Sequence, residues 1–126
     1  MTAWKPAGYP SMSPYLICPD AAGLIAFLER AFHGVVQRRF DRPDGSVMHA
    51  EVRIDDSVVM IGGAATDAQS DGPHIHLYVP DAMAVFDRAV AAGATIVQAP
   101  VRKDADDDLR GGVRDPWGTT WWIATQ

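Results

Sequence analysis

Apolar and polar positions follow two periods along this chain, and the periods come in the same order twice. From Val47 to Ile54 the period is two. Met48, Ala50, Val52 and Ile54 fall on one face, and His49, Glu51 and Arg53 on the other, which predicts a half-buried strand. Between them and the chain start, Leu24, Ile25, Phe27, Leu28, Ala31 and Phe32 recur at three- and four-residue steps, which predicts an amphipathic helix. Asp20 stands ahead of that helix as an N-cap, its carboxylate able to accept from first-turn amides. Gly34 follows it as the expected left-handed stop. Further on, Asp81, the stripe Val85, Phe86, Ala89 and Val90, and then Gly93 repeat the arrangement.

The duplication extends to the residues themselves. Tyr15 to Ala21 and His76 to Ala82 both read as an apolar strand closing in Pro-Asp-Ala, 61 residues apart, while Phe27 and Gly34 match Phe86 and Gly93 at 59. A two-residue deletion reconciles the offsets, so the chain reads as two copies of one unit. In the first copy, strands are expected at 35–40, 47–54 and 57–61, with a turn at Arg42-Pro43-Asp44-Gly45. The second has a strand at 95–98, an acidic loop over 101–112, a hairpin turn at Asp115-Pro116-Trp117-Gly118, and a closing strand at 119–125. Each unit is βαβββ and the class α+β. The expected organisation is an extended arm over 1–12, a module over 13–63, a linker over 64–72 and a module over 73–126, all in one domain.

Composition narrows the function. Eleven basic against sixteen acidic residues leave a net charge of −5, with no basic face of the kind nucleic-acid binders show. No apolar run approaches the roughly 20 residues of a membrane span. The start of the chain lacks the charged and apolar regions of a secretory signal. The one cysteine, Cys18, lies in an apolar stretch, as expected of a reduced thiol in a cytoplasmic protein.

Five stretches together resemble the vicinal oxygen chelate superfamily, the fold of glyoxalases, bleomycin-resistance proteins and extradiol dioxygenases, in its small glyoxalase-like branch. They are Ser13-Pro14-Tyr15-Leu16-Ile17 with Pro19-Asp20-Ala21, Met48-His49-Ala50-Glu51, Asp56-Ser57-Val58-Val59-Met60, His76-Leu77-Tyr78-Val79, and Val113-Arg114-Asp115-Pro116-Trp117-Gly118. The resemblance runs from about residue 13 to the end. It implies two curled mixed sheets with helices on their convex faces, a concave side that holds a metal or ligand, and a homodimer.

The same resemblance implies four metal-ligand positions, which by motif fall on Ser13, Glu51, His74 and Trp122. Only Glu51 and His74 are ligand types, since an indole has no lone pair to give. No complete family metal site is therefore expected, and no cofactor is assigned. Glu51 and His74 are the candidate catalytic residues, as acid/base groups or partial ligands of a divalent metal. Tyr15, His49, Arg53, His76, Tyr78 and Trp122 are the candidate ligand-binding residues, on strand faces opposite the helices. Trp121 and Trp122 must point to opposite sides of their strand. Asp104, Asp106, Asp107 and Asp108 are expected to be a solvated charge run. Three functions are compatible with this set. The first is binding of a small aromatic or oxygenated metabolite or drug without a complete metal site. The second is a metal-dependent lyase, isomerase or dioxygenase using Glu51 and His74. The third is a non-catalytic relic of the fold.

Overall fold

A computed structural model describes residues 3–64 and 72–126. Most of the linker expected over 64–72 lies outside the described residues. The described residues form two helices and eight strands, with order β1 (Met12–Cys18), α1 (Ala21–Phe32), β2 (Val35–Asp41), β3 (Val47–Ile54), β4 (Ser57–Gly63), β5 (His74–Tyr78), α2 (Ala82–Ala91), β6 (Thr95–Val101), β7 (Leu109–Arg114) and β8 (Thr120–Thr125). It divides into two compact units, one of residues 13–71 and one that joins residues 72–126 to the N-terminal arm.

In the first module the strand order is β2-β3-β4-β1, with β1 parallel to β4 and the other pairs antiparallel. Helix α1 covers one face. Ala21, Ile25 and Leu28 pack there on Val47, Ala50, Val52 and Ile61. Asp20 caps the helix, accepting from the Gly23 amide at 3.0 Å. Three details differ from the sequence reading, each for a local reason. Phe40 pairs with His49 and Asp41 with Val47, so Met48 is an extra residue in a β-bulge. The bulge turns Val47 into the core and leaves Met48 49% exposed. The stripe of α1 is narrower than its apolar content, because Phe27 and Phe32 lie beyond the arc that faces the sheet. They stay half exposed and meet edge to face at 5.7 Å. The left-handed residue that ends α1 is His33, at φ 57°, not Gly34. Gly34 is needed for space instead, since a Cβ there would stand 2.7 Å from Val52 Cγ1.

The second module repeats the plan, in the order β5-β8-β7-β6. Ala82 and Phe86 of α2 pack on Val79, Val113 and Ile123, with Leu77, Leu109 and Trp121 at the margin. Gly93 takes a positive φ of 117° just past the helix. The acidic loop is shorter than 101–112, because Leu109 to Gly112 pair with Thr125 to Trp122 and so belong to β7. Strand β6 likewise runs on to Val101. The N-terminal arm lies along this module. The Tyr78 amide donates to the Ser11 carbonyl at 2.6 Å, and the Gln126 amide to the Trp4 carbonyl at 3.1 Å.

Asp115 organises the turn between β7 and β8. Its carboxylate accepts from the Trp121 indole N–H at 2.9 Å and from the amides of Trp117 and Thr119. The Trp121 bond, followed by the Thr119 amide, holds the carboxyl below its usual value of 3.8. A carboxyl depressed in the folded state stabilises it above the unfolded value and loses that contribution as pH falls through the folded one. Asp115→Asn is therefore expected to flatten the acid side of the melting-temperature profile below pH 3.8. Identical acid limbs for the two proteins would remove Asp115 from that role.

Candidate functional site

The face of each sheet turned away from its helix carries the polar side chains, and each face is built by strand register. In the first module, Tyr15 pairs with Met60, Glu51 with Met60 and with Arg38, and His49 with Gly62 and with Phe40. Opposed residues in paired strands share a face. Arg38, Phe40, His49, Glu51, Arg53, Met60, Gly62 and Tyr15 therefore stand on one side, with Ala50, Val52 and Ile61 on the other. The bulge that displaces Met48 does not disturb this phase from His49 onward.

Three of these residues form a hydrogen-bonded chain. Tyr15 Oη lies 3.2 Å from His49 Nδ1, and His49 Nε2 lies 2.7 Å from Glu51 Oε2. As a carboxylate, Glu51 only accepts, so Nε2–H donates to it. When the ring carries no second proton, Nδ1 accepts from the tyrosine hydroxyl. Tyr15 stands on β1 and His49 on β3, with β4 between them. Contact is made over Gly62, where a Cβ would come 3.0 Å from Tyr15 Cε1. Phe40 stacks on the His49 ring, with centroids 6.4 Å apart. Arg53 is turned to the edge, where its Nε donates to Gln37 Oε1 at 2.8 Å. Glu51 is 5% exposed.

The second module places His74, His76, Tyr78, Trp122, Arg110 and Gly112 on its corresponding face. Trp121 packs with the α2 cluster, which sends Trp122 to this side. The Trp122 ring lies flat over Gly112, where a Cβ would stand 2.6 Å from Cζ3. On the opposite side, Gly111 leaves the same kind of room for Phe86. The Gly111-Gly112 pair thus admits an aromatic ring to each face of β7. The Trp122 indole N–H donates to His74 Nδ1 at 3.0 Å, and the two rings are nearly parallel, 13° apart in plane. An indole N–H can only donate, so His74 accepts at Nδ1 and carries its own proton on Nε2. His76 packs against Tyr78 at 4.6 Å between centroids. Tyr78 Oη donates to Asp108 Oδ2 at 2.8 Å, and Arg110 donates to the same oxygen at 3.0 Å. Tyr9 of the arm meets Tyr78 edge-on at 6.3 Å.

The candidates therefore fall into two sets. Tyr15, His49 and Glu51 come together in the first module, with Arg53 beside them but turned to Gln37. His74, His76, Tyr78 and Trp122 come together in the second. Asp108, read from sequence as part of a solvated run, belongs to the second set. Its signal was its spacing, two residues before Arg110 at the mouth of a strand. Gly62 and Gly112 were missed because their role is the ring that lies above them.

Among the described residues no group of three or more His, Cys, Asp or Glu is placed to hold a metal ion. The donors expected for the family metal do not fit one either. The His74 Nδ1 lone pair is used by Trp122, and Nε2 carries the proton. Glu51 Oε2 is held by His49. By register the first-module counterpart of Trp122 is Met60, which faces β1 as Trp122 faces β5. Neither side chain is a ligand for a hard divalent cation.

Comparison with known proteins agrees with the fold. The family model described as Glyoxalase/Bleomycin resistance protein/Dioxygenase superfamily matches residues 11–123. An uncharacterized protein of Mycobacterium bovis is 40% identical over 123 residues, which cover 89% of this chain and 80% of that one. An uncharacterized protein of Mycobacterium tuberculosis is also 40% identical, with 89% and 72% covered. Among solved structures, a superfamily member from Vibrio splendidus superposes with a TM-score of 0.68 at 22% identity, over 90% of this chain and 95% of its own. A methylmalonyl-CoA epimerase of Streptomyces coelicolor superposes at 0.69 with 14% identity, over 92% and 93%. At these identities the solved structures speak for the fold alone.

Proposed function

The chain belongs to the glyoxalase/bleomycin resistance protein/dioxygenase superfamily, and from that premise we propose that it binds a small planar, oxygenated molecule without a metal. The observation that supports this most is the bond from Trp122 to His74. It ties together two positions where the family places metal ligands, and turns them into a flat aromatic surface. Such a surface suits a planar ligand by stacking, with the Tyr78 hydroxyl, Asp108 and Arg110 able to orient its polar atoms. Among the described residues no helix is long and apolar enough to cross a membrane. A single free thiol, Cys18, fits a cytoplasmic setting.

The test is a thermal-shift screen of planar phenols, quinones and heteroaromatic acids against protein kept in EDTA. Ligands that bind the native state raise its melting temperature. The reading expects shifts that persist in EDTA and vanish in Trp122→Ala; shifts that appear only with added metal would contradict it.

The homodimer belongs to the same reading. Phe27 and Phe32 form an exposed aromatic pair on the outer side of α1, surface that self-association would cover. The expected mass in solution at micromolar concentration is near twice the 13.6 kDa chain. A mass of one chain would exclude the dimer at that concentration.

A further inference from the structure

A β-bulge on the edge strand of the first module gathers two guanidinium groups on one face. Val36 of β2 pairs with Val52, and Arg38 with Glu51, so β2 advances two residues where β3 advances one. Without that extra residue Arg38 would pair with Ala50 and stand on the α1 side of the sheet. The bulge puts it instead on the face of His49, Glu51 and Arg53. Gln37, the extra residue, takes hold of Arg53, accepting from its Nε at 2.8 Å. We propose that Arg38 and Arg53 form a binding site for the carboxylate of a small monoanionic acid. The site goes beyond the reading of Trp122 and His74 and stands on residues which that reading does not use.

These arginines differ from a solvated surface pair, because each is held in place by an uncharged partner. Arg38 is exposed, and its guanidinium lies over the Phe40 ring, 5.7 Å from the centroid. That contact orients the side chain but supplies no oxygen to its N–H donors. Phe40 in turn stacks on His49, so the platform under Arg38 is itself fixed. Gln37 orients Arg53, and its amide oxygen carries no charge to cancel that of the guanidinium. Arg39 makes the contrast. It pairs with Ala50 on the opposite face and forms an ion pair with Asp41 at 2.8 Å.

The charge on this face sets the class of ligand. Among the described residues, Glu51 is the only acidic one that β1 to β4 place there. It is 5% exposed and bonded through Oε2 to His49. Two guanidiniums against one carboxylate leave a local excess of positive charge, with His49 counted as neutral, on a chain of net charge −5. An excess of that size matches a monoanion rather than a phosphate dianion. A guanidinium meets a carboxylate through paired N–H donors, which is the geometry an arginine is built for. An acid held there can lay an attached ring against Phe40, which is 46% exposed.

The experiment is calorimetric titration of the full EDTA-treated chain with benzoate, and with benzamide as its uncharged counterpart, in mildly alkaline buffer of low ionic strength. Benzoate is expected to bind about tenfold more tightly than benzamide and to weaken as salt is raised. Arg38→Gln and Arg53→Gln should each weaken benzoate about tenfold, and Arg38→Lys, which keeps the charge and loses the fork, should fall between. Arg39→Gln should bind benzoate like the unaltered protein. Arg38 is exposed, so Arg38→Gln is expected to melt close to the unaltered protein. Equal affinity for benzoate and benzamide would overturn the proposal, as would benzoate binding that survives both arginine changes. If that surviving binding is lost in Trp122→Ala, the acid sits on the second-module face, and the broader reading stands while this site falls. Failure of benzoate to bind the unaltered protein would also overturn it, and the separate screen of planar ligands then judges the broader reading.

Discussion

Replacing Gly63 by alanine is expected to lower the melting temperature by about 12 °C, from about 3 kcal/mol of lost stability at about 4 °C per kcal/mol for a chain of this size. A Cβ on Gly63 would run into the backbone carbonyl oxygen of Val47. That oxygen cannot give way cheaply. It accepts from Arg42 Nη1 at 2.9 Å, and the same guanidinium donates through Nη2 to the Gly63 carbonyl at 2.6 Å. Val47 itself is 4% exposed and held in the α1 core by the bulge at Met48. The neighbouring Gly62 supplies the control. A Cβ there meets only the edge of the Tyr15 ring, at 3.0 Å, and a side chain can shift. Gly62→Ala should cost about 1 kcal/mol or less in stability and should disturb the contact between Tyr15 and His49 instead. Equal melting temperatures for the two variants would contradict the packing described for β4.

Trp122→Ala is expected to weaken binding of a planar ligand roughly 30-fold, the loss of about 2 kcal/mol typical of a central aromatic anchor. It removes the stacking surface over Gly112 and also the N–H that fixes the His74 tautomer. Trp122→Phe separates the two effects, because it keeps a ring and loses the donor. Calorimetry should place its affinity between those of the unaltered protein and Trp122→Ala. Equal affinity for all three proteins would remove the second-module face from the site. Changes at Gly112 should act in the same direction, since any side chain there lifts the Trp122 ring.

Much of this architecture is legible in the sequence because it depends on local periods. The alternation of β3 placed His49, Glu51 and Arg53 on one face, and the Pro-Asp-Ala repeat located both helix starts. Asp20 and Asp81 cap those helices through their side chains. What escaped depends on contacts between strands. Met48 fits the alternation as well as its neighbours do, and only the pairing of Asp41 with Val47 shows that it is bulged out. Phe27 and Phe32 fit a helical stripe, but the arc of α1 that packs on the sheet is that of Ala21, Ile25 and Leu28, which leaves them half exposed. Gly34 looks like a helix stop, yet His33 takes the left-handed conformation while Gly34 makes room for Val52.

The candidate site follows the same division. Its residue types were visible strand by strand, and their partners were not. That Trp122 rather than Trp121 faces away from α2 is set by the phase of β8 against β7 and β5. That Asp108 reaches Tyr78 depends on β7 beginning at Leu109, inside what reads as a loop. The bond between Trp122 and His74 joins residues 48 apart, and it changes the chemistry most, because it uses the lone pair that a metal would need.

The most direct measurement is therefore elemental analysis of untagged protein, followed by thermal-shift titration with Mn, Fe, Co, Ni and Zn. Metal-independent binding predicts no stoichiometric metal and no rise in melting temperature with any of the five ions. Near-stoichiometric metal that disappears in Glu51→Ala or His74→Ala would contradict it, and would show that these side chains leave His49 and Trp122 to ligate a metal ion.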